Sequence, residues 1–222
     1  MQNDNRSIRQ MTAEFQKMVD DFFRIQCRYT SAMREVQTKL EILDDEFQMR
    51  HKRNPIHHMQ SRMKTIQSMM DKLQRKQQTV SMESAVENLH DIAGIRVVCP
   101  YIKDVYTVAS LLTGQDDVKL VEMRDYIRTP KENGYRSLHL IIEIPVFLQD
   151  GRVDVPVEVQ LRTIAMDFWA SLEHSMRYKA KGAVPDDISA ELQLVGSDIA
   201  ALDNRMQSLH DRIEGIPPVE TR

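Results

Sequence analysis

From about Ser7 to Arg50, apolar residues recur at roughly every third or fourth position: Phe15, Met18, Phe22, Tyr29, Met33, Val36, Leu40, Leu43 and Phe47. No Gly or Pro interrupts the run, so the spacing predicts one long helix, ended by Asn54-Pro55. A second helix is expected from about Pro55 to Gln77. Ile92 to Cys99 is short, β-branched and apolar, and Pro100 closes it, which reads as a buried strand. Helical spacing returns from Ile102 to Leu112 and stops at Thr113-Gly114.

Two further strands alternate cleanly. In Tyr135–Ile144 one face takes Leu138, Leu140, Ile142 and Ile144, and the other takes Tyr135, Ser137 and His139. In Val153–Leu161 one face takes Val153, Val155, Val157, Val159 and Leu161, and the other takes Asp154, Pro156, Glu158 and Gln160. Side by side, the pair would share one apolar face on a core and one polar face of mixed chemistry. A helix from about Thr163 to Lys179 follows. Phe168, Trp169, Leu172 and Met176 fall at core spacing, and Asp167, Glu173 and His174 lie on its other side. The last pattern, Pro185 to Glu214, places Leu192, Val195, Ile199, Leu202, Met206, Leu209 and Ile213 at steps of three and four. Such a seam needs a partner helix, which is either the N-terminal helix or another subunit. Gly215 and Pro217-Pro218 are expected to terminate it. There are no repeats or low-complexity tracts. The chain therefore reads as one domain over 1–222, with a helical arm (1–54), a core (55–182) and a C-terminal helix (183–215).

Composition changes this picture in three places. With 222 residues, 41% hydrophobic and 28% charged, the chain can bury a sizeable core and is not expected to be disordered. No run approaches the length of a membrane span and the first residues form no apolar signal core, so a cytoplasmic protein with no membrane contact is expected. Cys27 and Cys99 offer neither metal spacing nor a disulfide framework and read as two buried thiols. The net charge of −3 argues against wholesale nucleic-acid binding, so RNA binding is not expected. Yet Arg50, Lys52, Arg53, Arg62, Lys64, Lys72, Arg75 and Lys76 stand against a single acid, Asp71, between Arg50 and Lys76. That is a local polyanion site, or else a solvated helix face.

The seven glycines are scattered, so GxxxxGK[ST] and GxGxxG are both absent, as is HExxH. A nucleotide would have to be held by side-chain cations. Ser68, Lys72 and Arg75 share one helical face, with Arg62 and Lys64 just before them. Phosphoryl chemistry also calls for Mg²⁺ held by carboxylates. The best-placed acids are Asp91, just before a strand, and Glu158, mid-strand among valines where an unpaired charge is costly. Asp91 reads equally as a turn residue, and Glu158 could pair with a neighbour such as Arg136. Tyr135, beside the loop holding Lys131, suits base stacking but also reads as an ordinary strand tyrosine. His139 alone reads as a satisfied sheet histidine, His57 and His58 as surface residues, and Met69 and Met70 as core filler.

Together, Ser61-Arg-Met-Lys64, Asp91-Ile-Ala-Gly-Ile-Arg96, Asp125-Tyr-Ile-Arg-Thr-Pro-Lys131, Asn133-Gly-Tyr-Arg-Ser-Leu-His139, Glu158-Val-Gln-Leu-Arg-Thr163 and Phe168-Trp-Ala-Ser-Leu-Glu-His174 resemble the RelA/SpoT synthetase domain. They come in that family's order and near its spacing, over about 61–179. Length and flanking helices resemble the small alarmone synthetases, with wording near the RelP-type branch. The resemblance implies an α+β fold: a mixed β-sheet flanked by helices, nucleotidyltransferase-like, with long N- and C-terminal helices. It implies a pyrophosphokinase that moves pyrophosphate from ATP to the 3′-hydroxyl of GDP or GTP, giving ppGpp or pppGpp and AMP. Arg62, Lys64, Ser68, Lys72, Arg75 and Arg96 match the ATP-binding positions. Asp91 matches the Mg²⁺ ligand, and Glu158 the carboxylate that binds metal and activates the hydroxyl. Tyr135 matches the guanine-stacking tyrosine, with Lys131, His139 and Gln160 lining the acceptor side. Asp167 stands where some relatives carry Asn. A homotetramer using the terminal helices is implied, and neither hydrolase activity nor ribosome-coupled sensing is expected. The competing readings are a nucleotidyltransferase, which would move AMP, and a nonenzymatic RNA-binding regulator.

Overall fold

The N-terminal amphipathic run forms α1 (Gln2–His51), which buries Tyr29, Ala32, Met33, Val36 and Leu40 along one stripe. That stripe lies on a five-stranded mixed sheet of order β1-β2-β5-β4-β3. The computed structural model describes residues 2–179 and 184–215, so the expected Pro217-Pro218 stop and the side chains of Phe15 and Met18 lie outside the described residues.

The central strands follow the alternation read from the sequence. β4 (Leu138–Leu148) and β5 (Gly151–Thr163) form an antiparallel hairpin. Leu138, Leu140, Ile142, Ile144, Val155, Val157, Val159 and Leu161 are all buried on the core face. β2 (Ala93–Cys99) runs parallel to β5, and α4 (Ile102–Thr113) packs beneath both. Burial on this scale is the main stabilising term of the fold.

The expected helix over Pro55–Gln77 is not a single helix. Its first part is an edge strand, β1 (His58–Met63), antiparallel to β2. Only Ile66–Arg75 is helical, as α2, with Thr65 capping it by accepting from the Ser68 amide at 3.2 Å. Met59 and Met63, four apart, share a face in a helix and in a strand alike, so their spacing could not tell the two apart. Two elements had no counterpart in the sequence reading: α3 (Met82–Asn88) and the other edge strand, β3 (Lys119–Asp125). The Tyr135 strand begins only at Leu138, which leaves Tyr135 in the preceding loop.

Further corrections concern α5 (Ile164–Lys179) and α6 (Asp186–Glu214). Of the four residues at core spacing in α5, Trp169 alone is buried, while Phe168, Leu172 and Met176 are exposed. Glu173, expected on the outer side, is buried. The α6 seam packs mainly on α5 and α4 and not on α1. Leu192 joins Trp169 in a small cluster, whereas Val195, Leu202, Met206, Leu209 and Ile213 face solvent. Cys99 is buried as expected but Cys27 is exposed.

A buried acid ties α6 to the end of β5: the Thr163 hydroxyl donates to Asp203 and its oxygen accepts from the Met166 amide at 3.1 Å. Burial pushes the Asp203 carboxyl above its ordinary range, against the bond from Thr163 and the charge of Arg136. An acid with a raised folded pKa holds its proton longer in the folded state. Stability is therefore lost as pH rises from about 4 through that folded pKa. Asp203→Asn keeps an acceptor for Thr163 and removes the charge. Its melting temperature at pH 7 should match or exceed that of the parent, and its decline above pH 4 should be shallower. A clear drop at pH 7 in a thermal melt would contradict this account.

Candidate active site

Strand register assembles the site on the sheet face opposite the core. One row across the strands reads Arg62, Gly94, Glu158, Ile141, and the next reads Gln60, Arg96, Gln160, His139, Arg124. Gly94 puts no side chain between Arg62 and Glu158, so the row has a low floor there. Over it lies a cleft of about 220 Å³ lined by Arg62, Lys64, Ser68, Asp91, Arg96, Glu158 and Gln160, with Gln60 and Ile95.

At one end of the cleft, Asp91 precedes β2 and meets cations from two elements. Lys64, just after β1, and Lys72 of α2 both donate to Asp91 Oδ2, the latter at 2.6 Å. Burial works against the charged carboxyl most strongly, but the two lysines outweigh it and hold its pKa below the usual carboxylate range. Asp91 Oδ1 is buried with no partner, an open position for a cation. Of the other expected donor-side residues, Ser68 and Arg62 line the cleft, while Arg75 is exposed one turn beyond Lys72. Not all of the basic run faces the cleft. Arg50 pairs with Glu46, and Arg53 with Asp104 and Glu214.

Glu158 stands in a connected polar network. Its Oε1 lies 3.1 Å from His139 Nδ1, and its Oε2 accepts from Gln160 Nε2 at 2.9 Å. His139 Nε2 lies 2.8 Å from the Tyr135 hydroxyl, which accepts from Arg162 Nη2 at 2.7 Å. With Nδ1–H donating to Glu158 and Nε2 accepting from the Tyr135 hydroxyl, every link is satisfied. Desolvation is the largest influence on Glu158 and would raise its pKa. The bonds from His139 and Gln160 prevail and keep it below the ordinary value, with the charge of Asp91 felt in opposition. The alternative pairing with Arg136 does not occur. That guanidinium holds the Ile127 carbonyl at 2.9 Å, steadying the turn that Asp125 caps by accepting from the Ile127 and Arg128 amides.

The side of the site around Tyr135 is aromatic. Tyr126 meets Tyr135 and His139 edge-on at centroid distances of 6.0 and 5.2 Å. The Lys131 ammonium lies 4.5 Å from the Tyr126 ring and 4.9 Å from that of Tyr135. Arg162, 5.1 Å from the Tyr135 ring, is buried and pinned by Asp167 at 3.0 Å. Asp167 also faces Arg96 at 3.4 Å, so it sits in the wall between the two sides with both arginines on its carboxylate. Burial, then the neighbouring Arg162, pushes the Arg96 pKa down, against the pull of Asp167.

Sequence reasoning missed Arg162, Tyr126, Asn133 and Gln60. Arg162 was within reach, because the alternation of Glu158 and Gln160 extends to it one residue past the expected strand end. Gln60 was hidden by the helical reading of β1. Tyr126 and Asn133 lie in loops, where no periodicity marks them.

Comparison with known proteins agrees with this geometry. The profile of the region found in RelA/SpoT proteins matches residues 61–183. The GTP pyrophosphokinase YwaC of Bacillus subtilis (strain 168) is 42% identical over 186 residues, 84% of this chain and 89% of the relative. The crystal structure of small alarmone synthetase 2 from Bacillus subtilis superposes with a TM-score of 0.79 at 42% identity, covering 86% of this chain and 99% of that one. Small alarmone synthetase 1 of the same organism, solved with its product pppGpp, gives 0.80 at 33% identity over 86% of this chain and 97% of that one. The chain belongs to the RelA/SpoT family, as one of its small alarmone synthetases.

Proposed function

We propose that the two sides of the cleft bind ATP and a guanosine nucleotide, and that the enzyme is a GTP pyrophosphokinase making ppGpp or pppGpp with release of AMP. The observation that carries this reading is the register that sets Glu158 across the Gly94 gap from Arg62, in one cleft with Asp91 and Lys64. Arg62, Lys64, Ser68, Lys72, Arg75 and Arg96 are the donor's phosphate ligands, supplying five side-chain cations and one hydroxyl in place of a glycine loop. Tyr135 stacks the guanine. Of the two cations near its ring, Arg162 is buried and pinned, whereas Lys131 is exposed on a flexible stem and can swing toward the acceptor's phosphates. Gln160 and His139 hold Glu158 toward the acceptor, and Asp167 fixes Arg162 behind Tyr135.

The proposed reaction follows from these positions. The acceptor's 3′-oxygen bonds to the β-phosphorus of ATP, the bond from that phosphorus to the oxygen shared with the α-phosphate breaks, and its electron pair leaves with AMP. The hydroxyl proton passes to Glu158. Donor phosphates bring negative charge beside Glu158, which raises its proton affinity toward that of a useful base. Asp91 and Glu158 would hold a Mg²⁺, which is commonly bound by one or two carboxylates plus substrate phosphates and which would neutralise charge on the transferred group. Asp91 Oδ1, buried and unpartnered, is the atom that fits it best.

The whole chain then forms one synthetase domain around the 55–182 core. Among the described residues no helix is long and apolar enough to cross a membrane, and the reading places the enzyme in the cytosol with its nucleotides. Exposed Phe168, Leu172, Leu202, Met206 and Leu209 on α5 and α6 support a homotetramer that covers this apolar surface.

Incubation with ATP, GDP or GTP and Mg²⁺ should yield AMP and the 3′-pyrophosphorylated nucleotide on ion-exchange separation; release of free pyrophosphate would instead establish nucleotidyl transfer. Glu158→Gln should cut turnover by roughly 10²–10⁴-fold while ATP still binds, as calorimetry can check. Near-normal turnover would remove Glu158 from the mechanism. Leu202→Lys with Met206→Lys should lower the solution mass measured by light scattering, and an unchanged mass would place the subunit contacts elsewhere.

A further inference from the structure

The loop that carries Tyr135 is held by contacts unlike those of an ordinary surface turn. It folds tightly on itself, with the Gly134 amide donating to the Lys131 carbonyl at 2.8 Å and the Lys131 amide to the Tyr135 carbonyl at 3.1 Å. Gly134 adopts a φ of +88°, a left-handed conformation that side chains disfavour. On one flank the Asn133 side chain accepts from the Tyr135 amide at 3.2 Å and donates to Glu173 of α5 at 3.0 Å. Glu173 is buried and also receives Arg177, so its carboxylate is a fixed post and not a solvated charge. On the other flank the loop rests directly on the backbone of α6. A Cβ added at Gly196 would lie 3.1 Å from the Gly134 carbonyl oxygen, 3.4 Å from its Cα and 3.4 Å from Trp169 Nε1. Trp169 locks the two helices together there by donating to the Leu192 carbonyl at 3.1 Å.

We infer that α5 and α6 form a brace for the acceptor loop, and that Glu173 and Gly196 are positioning residues that set affinity for the guanosine nucleotide without touching it. The inference rests on the reading of Tyr135 as the guanine platform. Physically, a stacking ring contributes only where its plane is fixed beforehand, and a displacement of about 1 Å in a positioning element is costly. Backbone-to-backbone contact at Gly196 leaves no flexible side chain to absorb an added methyl group, so the loop itself must give. The donor side is built from β1, α2 and β2; α5 reaches it only through the Asp167–Arg96 pair, in which Glu173 and Gly196 take no part.

The test compares Michaelis constants for both substrates in Gly196→Ala, Glu173→Ala, Glu173→Gln and Tyr135→Ala. Gly196→Ala and Glu173→Ala should each raise the KM for GDP roughly tenfold or more, with the KM for ATP within about twofold of the parent. Glu173→Gln keeps an acceptor for the Asn133 amide and should restore most of the GDP affinity lost in Glu173→Ala. Equal shifts in both Michaelis constants, an unchanged GDP value, or identical behaviour of the Ala and Gln variants would overturn the brace. Tyr135→Ala separates the two levels. If it leaves GDP affinity untouched, the platform reading fails and takes the brace with it. If it weakens GDP binding while Gly196→Ala and Glu173→Ala do not, the brace alone is wrong. Should Gly196→Ala not fold, the Glu173 pair decides the matter.

Discussion

A carboxylate in the middle of a strand is costly to keep charged away from bulk water unless hydrogen bonds replace its hydration. Glu158 meets that demand with one bond from a ring nitrogen and one from an amide, and each of those partners is itself held. His139 leans on Tyr135, Tyr135 on Arg162, and Arg162 on Asp167. Tyr135 and Glu158 are thereby linked through side chains from β4, β5, α5 and one loop. The polar face can be this elaborate because the opposite face of the same strands is almost wholly apolar and fixes their register.

The donor side solves a related problem with opposite charge. Lysines brought near one another repel, and a buried acid without a partner would take up a proton. Asp91 between Lys64 and Lys72 offsets part of their charge, and with Arg62 and Arg96 in the same cleft the site stays net cationic. Both lysines bond the same oxygen of Asp91, and its Oδ1 is left without a partner. The sequence lacks a glycine-rich phosphate loop, and side-chain cations are what this cleft offers in its place.

Apolar surface on α5 and α6 completes the design. α6 places Leu192 and Gly196 inward against Trp169 and the acceptor loop, and Leu202, Met206 and Leu209 outward. One helix thus contributes both to the inside of the site and to the part of the surface best suited to meet another chain.

Much of this was legible in the sequence. Period-two alternation named the two central strands and the face on which Glu158 and Gln160 lie, because a sheet with a buried back must alternate. The long terminal helices and α4 were equally plain from their spacing. Edge elements were not legible: β1 and β3 have solvent along much of their length, so backbone pairing, which leaves no mark on side-chain choice, decides that they are strands. Nor could local pattern show that Phe168, Leu172 and Met176 remain exposed while Glu173 is buried, since apolar spacing states that a face seeks cover and not what covers it. The sequence by itself determined which residue types could do the chemistry and which strands would carry the core. The tertiary structure alone decided that Asp91 would meet two lysines from separate elements, and that Tyr135, in a loop, would stand over His139. The Asp91 contacts join separate elements brought together by sheet and helix packing, and the Tyr135–His139 contact, though only four residues apart in sequence, depends on how the loop before β4 folds.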